Sequence, residues 1–101
     1  MTQDARLSSD LDDPDAIPYF LWDDPMTVAE LRRSLAEASE PERLRLLGRV
    51  LREARDTDVW KFTTLAEVVR LFPRLRAHLG RRLAFWDYLL GLWRALGLIH
   101  E

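Results

Sequence analysis

A chain of 101 residues, 48% hydrophobic and 32% charged, has the composition of one globular domain with a single modest core. It contains no cysteine, which excludes disulfides, thiolate metal sites and cysteine nucleophiles and points to a reducing cytoplasm. The formal net charge of −2 conceals a polarity: residues 1–25 hold seven aspartates against Arg6, a net of −6, whereas residues 26–101 hold 14 basic and 10 acidic side chains, a net of +4.

Residues 1–16 read as a flexible acidic arm, polar and poor in large apolar side chains. Their start, MTQDARLSSDLDD, lacks the basic and apolar regions of a secretion signal. Residues 17–101 read as a single helical domain. It opens with IPYFLWDDP, in which Tyr19, Phe20 and Trp22 lie between Pro18 and Pro25. The prolines make this a docking segment rather than a long helix. Its aromatics either staple the segment onto the chain's own core or anchor a partner.

Three S/T-x-x-E sequences then mark helix starts: Thr27 with Glu30, Ser39 with Glu42, and Thr64 with Glu67. In such a box the hydroxyl accepts from the N3 amide and the glutamate reaches back to the cap amide. The first predicts a helix over 28–38, with Met26 and Leu31 at the staple positions. The second predicts a helix over 40–54, with Pro41 in its first turn, where a missing amide is harmless. That helix carries Leu44, Leu46, Leu47, Val50 and Leu51 on one face and Arg45, Arg49 and Arg52 on the other. DTDVWKF, residues 56–62, combines turn formers with β-branched and aromatic residues and reads as an extended connector or one short strand.

The third helix follows Thr64, with Leu65, Val68, Val69 and Phe72 at helical spacing. Pro73 disfavours helical geometry at Phe72, which predicts a stop or kink there and a short turn over 74–79 that Gly80 ends. A fourth helix runs over 82–96 with Gly97 at its C′ position. The fold class is therefore all-α, a small four-helix domain behind an acidic arm.

The last helix is the most informative. LAFWDYLLGLWRALGLI, residues 83–99, contains only Asp87 and Arg94 as charges. On a helical projection Leu83, Phe85, Trp86, Leu89, Leu90, Leu92, Trp93 and Leu96 fill half the circumference, and Ala84, Gly91 and Ala95 form a narrow strip beside Asp87, Arg94 and Tyr88. The run is shorter than a usual membrane span, and a charge at its centre costs about 2.5 to 3.5 kcal/mol, so no membrane segment is expected. It holds more apolar surface than a core of this size needs to close. Part of it is expected to meet a partner, and the free chain is expected to be marginally stable or to self-associate.

No catalytic constellation is legible. His78 and His100 have no carboxylate or histidine at ligand spacing, the four glycines stand singly, and the acid pairs Asp12/Asp13 and Asp23/Asp24 lie in or beside flexible sequence. The chain is expected to be no enzyme and to bind no metal or cofactor. Nucleic-acid binding has a better basis: Arg70, Arg74, Arg76, Arg81 and Arg82, with His78, occupy thirteen residues without an acid. TLAEVVRL, residues 64–71, reads like the first helix of a helix-turn-helix. The turn, however, is replaced by Phe72-Pro73, and the next full helix is the tryptophan-leucine stretch, unsuited to a wet major groove. A small DNA-binding regulator using these arginines stands as the second reading.

Three segments, PYFLWDDPMTVAELRRSLAEAS, ERLRLLGRVLREARDTDVWKFTT and HLGRRLAFWDYLLGLWRALGL, cover most of residues 18–98. Their pattern resembles the short antitoxins encoded beside nucleotidyltransferase toxins of the AbiE and MenT kind, and the mycobacterial MenA-type antitoxins in particular. The resemblance implies a cytoplasmic protein that neutralises a cognate toxin, itself a user of nucleoside triphosphate that modifies tRNA. Many AbiE-system antitoxins carry a winged-helix DNA-binding domain, not found in this sequence, so operon autoregulation is not carried over. The partner-contacting residues expected are Tyr19, Phe20, Trp22, Trp86, Tyr88, Leu89, Trp93 and Arg94. The last helix is expected to set affinity and the acidic arm the association rate.

Overall fold

Thr27 is extended, its hydroxyl accepts from the Glu30 amide at 3.1 Å, and the Glu30 carboxylate accepts from the Thr27 amide at 2.7 Å. This complete capping box starts α1 (Val28–Glu37), the first of five α-helices in the computed structural model, which describes residues 7–99. The others are α2 (Glu40–Glu53), α3 (Asp56–Val59), α4 (Leu65–Leu75) and α5 (Leu83–Ala95), with 3₁₀ turns at Tyr19–Leu21, Arg76–His78 and Gly80–Arg82. The all-α class holds; the count of four helices does not. Where a connector or strand was expected after Asp56, Asp56 and Asp58 open a single helical turn whose Val59 is fully buried. Burial of that one side chain, with aspartates favourable at a helix N-terminus, outweighs the local β preference.

The two short strands lie elsewhere, β1 (Leu7–Ser8) paired in parallel with β2 (Ile17–Pro18). The acidic leader is therefore folded over residues 7–16, against the expectation of a flexible arm. Residues 1–6 lie outside the described residues, as do His100 and Glu101. The leader closes through Asx and Ser turns: the Asp12 amide donates to Asp10 Oδ1, the Asp15 amide to Asp13 Oδ1, and the Asp10 amide to Ser8 Oγ. Leu11 is buried in the core. The first amides of α1 complete the connection, Val28 donating to the Ala16 carbonyl at 2.8 Å and Ala29 to the Pro14 carbonyl at 3.0 Å. These are amides the helix cannot satisfy itself, so the leader serves as its N-terminal cover.

Of the other two boxes, one does not form and one forms in part. Ser39 makes no side-chain cap, and Glu42 takes a two-pronged bond from Arg45, at 2.8 Å to each oxygen, instead of reaching back to the cap amide. Thr64 accepts from the Glu67 amide, but the Glu67 carboxylate takes the Thr63 hydroxyl at 2.6 Å. Pro73 does not stop α4 at Phe72: the helix runs on to Leu75. Leu71, Phe72, Leu75 and Leu79 are all buried, and carrying the chain helically through Pro73 is what points them inward together. With the proline in the last turn, only one late hydrogen bond is forfeited.

The core is built from Leu11, Phe20, Leu21, Val28 and Leu31, the apolar face of α2, Val59, the inner face of α4, Leu79, Trp86 and Leu90. α2 crosses its centre, packing against α1, α4 and the turns after it. Gly48 is where α2 meets the Arg76–His78 turn: a Cβ there would stand 2.4 Å from the His78 Cβ, which no side chain accommodates. The polar face of α2 is not simply solvated. Arg49 donates to the Phe20 carbonyl at 2.9 Å and pairs with Asp23, and Arg52 donates to the His78 carbonyl at 2.9 Å. α5 ends as expected at Gly97, with φ +76, the Leu98 amide bonding back to the Trp93 carbonyl and the Gly97 amide to the Arg94 carbonyl.

Candidate partner-binding surface

α5 presents two unlike faces. Inward, Trp86 is 0% exposed and its indole N–H donates to the Leu51 carbonyl at 2.8 Å, while Leu90 is buried beside it. Outward, Tyr88 is 68% and Leu96 63% exposed, with Leu92 and Leu98 also open to solvent. Trp60, at the end of α3, extends this surface. It stands edge-on to Trp86 at 5.9 Å and tilted on Trp93 at 6.1 Å, so one indole links the core to the half-buried Trp93.

The expected contact residues divide accordingly. Tyr88 is exposed, Arg94 is on the surface, and Leu89 and Trp93 are half-buried at its edge. Trp86 faces the core and is withdrawn as a contact in this fold. Phe20 is likewise corrected: it is 1% exposed, between Tyr19 and Phe62 in edge-on contacts at 5.3 and 5.7 Å. Tyr19 is a staple, its hydroxyl donating to Asp58 at 2.6 Å and accepting from the Arg55 amide at 2.8 Å. Partial burial, with the bond to Asp58, raises its pKa above the ordinary value of 10.0. Trp22 alone of the three aromatics is exposed, under the Arg49 guanidinium at 5.1 Å. The same arginine's hydrogen bond lowers the pKa of the neighbouring Asp23. Trp60, Leu92, Leu96 and Leu98 had no place among the expected contacts. The apolar excess of residues 83–99 was their signal, but only packing told which side of the helix it left outside.

The acid-free arginine run meets carboxylates in three dimensions that it lacks in sequence. Arg74 pairs with Glu40 of α2, Arg76 with Asp87 of α5 at 3.2 Å, and Arg70 with Glu67 at 3.7 Å. Arg82 lies over Phe85 at 4.6 Å, and Arg81 forms no salt bridge among the described residues. Arg81 and Arg82 join Arg52 and Glu53 around a cleft of about 360 Å³.

Among the described residues, no group of three or more histidines, cysteines or acids could hold a metal ion, and no helix is long and apolar enough to cross a membrane. Comparison with protein-family models, curated proteins and solved structures finds no match to this chain.

Proposed function

We propose that the chain is an antitoxin, a protein without catalysis of its own that neutralises a nucleotidyltransferase toxin acting on tRNA by holding it in a stoichiometric cytoplasmic complex. The reading rests on the resemblance of three segments spanning most of residues 18–98, and the observation that carries it is the uncharged outer surface of Tyr88, Leu92, Leu96 and Leu98 beside Trp60 and Trp93. A folded chain that leaves large apolar side chains together in water is stabilised when another protein covers them. Aromatic anchors in a desolvated interface contribute about 2 kcal/mol or more each, against about 0 to 1 kcal/mol for exposed charge pairs, so the end of α5 dominates affinity.

The alternative, a DNA-binding regulator using Arg70, Arg74, Arg76, Arg81 and Arg82, draws less support. Three of the five are engaged by carboxylates, which a phosphate would have to displace. The experiment is co-expression of the chain with the nucleotidyltransferase encoded beside it. Restored growth and co-elution at micromolar concentration are expected. Toxicity unrelieved, or two separate elution peaks, overturns the proposal, and retention on DNA rather than on protein moves the function to the alternative.

A further inference from the structure

We propose that α5 pairs with α5 of a second copy of this chain, as an antiparallel two-helix seam, when no other protein covers it. The assignment follows from the order of residues around the exposed face. Ala84, Tyr88, Gly91 and Ala95 recur at four, three and four residues, the spacing of a coiled-coil seam, and all four are exposed. On the side away from the seam lie Trp86, Leu90 and Trp93, the residues that α5 turns toward its own core. A helix whose back is occupied and whose front has seam periodicity is built to take one neighbour.

Which neighbour, and in which direction, is decided by the flanks. Asp87 and Arg94 are one heptad apart and so occupy the same flanking position, while Phe85 and Leu92 occupy the other. In an antiparallel pair of identical helices like flanks face each other. Asp87 of one copy then stands by Arg94 of the other, twice by symmetry, and Phe85 meets Leu92. A parallel pair would set Asp87 against Leu92. Asp87 is 55% exposed and bonds Arg76 at 3.2 Å, which leaves its outer side open to a neighbour.

Size complementarity selects the same arrangement. Antiparallel layers join Tyr88 to Gly91 and Ala84 to Ala95, the largest seam residue over the smallest, whereas parallel layers stack tyrosine on tyrosine and glycine on glycine. Packing inside its own chain does not require Gly91: a Cβ built there meets nothing within 4 Å. An exposed mid-helix glycine costs about 0.5–1 kcal/mol relative to alanine, and the tyrosine ring of a second copy uses the space it leaves. α5 has 13 residues and is therefore ~20 Å long, so the seam falls short of the roughly 800 Å² per partner of a standard interface and self-association is weak. The proposal does not depend on the antitoxin reading, and its test uses the chain alone.

The chain's lack of cysteine makes disulfide trapping clean. Ala84→Cys and Ala95→Cys, both surface changes, are prepared separately and then mixed under mild oxidation. The mixed 84–95 dimer is expected, with neither variant cross-linking to itself, because equivalent residues lie about 16 Å apart along an antiparallel seam. Cross-linking of either variant alone overturns the direction. Sedimentation of the native chain up to about 200 µM should show a reversible monomer–dimer equilibrium, weak as so small an interface requires. A monomer throughout overturns the pairing. Asp87→Arg alone and Arg94→Asp alone should each weaken association about fivefold, and their mixture should recover it as a heterodimer. Failure of the mixture to recover rules out the assigned flanks. Gly91→Leu should abolish the dimer while the monomer melts no lower than the native chain, and a dimer that survives it removes the tyrosine-on-glycine layer.

Discussion

The acidic leader and the outer face of α5 reverse what their compositions suggest. The leader, with aspartates at 10, 12, 13 and 15, is folded from Leu7 onward and buries Leu11, whereas the most apolar helix and the turn that ends it leave Tyr88, Leu92, Leu96 and Leu98 in water. The difference lies in what each region has to pair with. The leader supplies carbonyls to the open N-terminus of α1 and satisfies its own amides with aspartate side chains, so a few short bonds and one leucine suffice to hold it. α5 is a regular helix whose backbone is already satisfied, and a helix can turn only one side to a small core. Polar sequence is thus no guide to disorder where its carbonyls have orphan amides to meet, and apolar sequence is no guide to burial where the core is already full.

The contrast breaks most sharply at Trp86. Truncation to alanine removes the largest fully buried side chain and the partner of the Leu51 carbonyl. A loss of about 3–5 kcal/mol is expected in denaturant unfolding. If the variant keeps native stability and loses only partner binding, Trp86 belongs to the outer face after all. Leu11→Ala tests the leader in the same way, with an expected loss of about 2–3 kcal/mol, near the low end for a buried leucine because the site is peripheral. An unstructured arm would show none. Removal of residues 1–15 should therefore lower the melting temperature rather than merely slow association.

Tyr19→Phe should cost about 1–2 kcal/mol, since it deletes the hydroxyl that bridges Asp58 and the Arg55 amide while keeping the ring. Tyr88→Ser and Leu96→Ser sharpen the other side of the comparison: stability should stay within about 0.5 kcal/mol of native while capture of the partner is lost. A matched loss of both would make the face part of the core.

The smallest effect is in pH dependence. The bond from the Thr27 amide holds the Glu30 carboxyl below its ordinary value of 4.5. A lowered carboxylate contributes stability that is fully present above that value and lost as pH falls through the folded one. Glu42, lowered by its bond from Arg45, and Asp23, lowered by Arg49, act in the same direction. The chain should lose stability in acid, and Glu30→Gln should flatten part of that loss; an unchanged acid limb would mean the box is open in solution.

Much of the fold was legible because its signals are local. Thr27 with Glu30, the leucine face of α2, Thr64 before α4 and Gly97 after α5 act within one or two helical turns, so the neighbours they need are given by the chain itself. What the sequence left open was every choice between two surfaces of the same kind. That Phe20 and Trp86 go inward while Trp22 and Tyr88 stay out depends on how much room α2, α4 and the turns leave, which no local pattern encodes. The same holds for Pro73, carried inside α4 because Leu75 and Leu79 are buried beyond it, and for arginines that meet carboxylates on other elements, as Arg74 meets Glu40 thirty-four residues away. Capping and periodicity are properties of neighbours along the chain and can be read from it. Burial and ion pairing are properties of neighbours in space, and only the packed tertiary structure decides them.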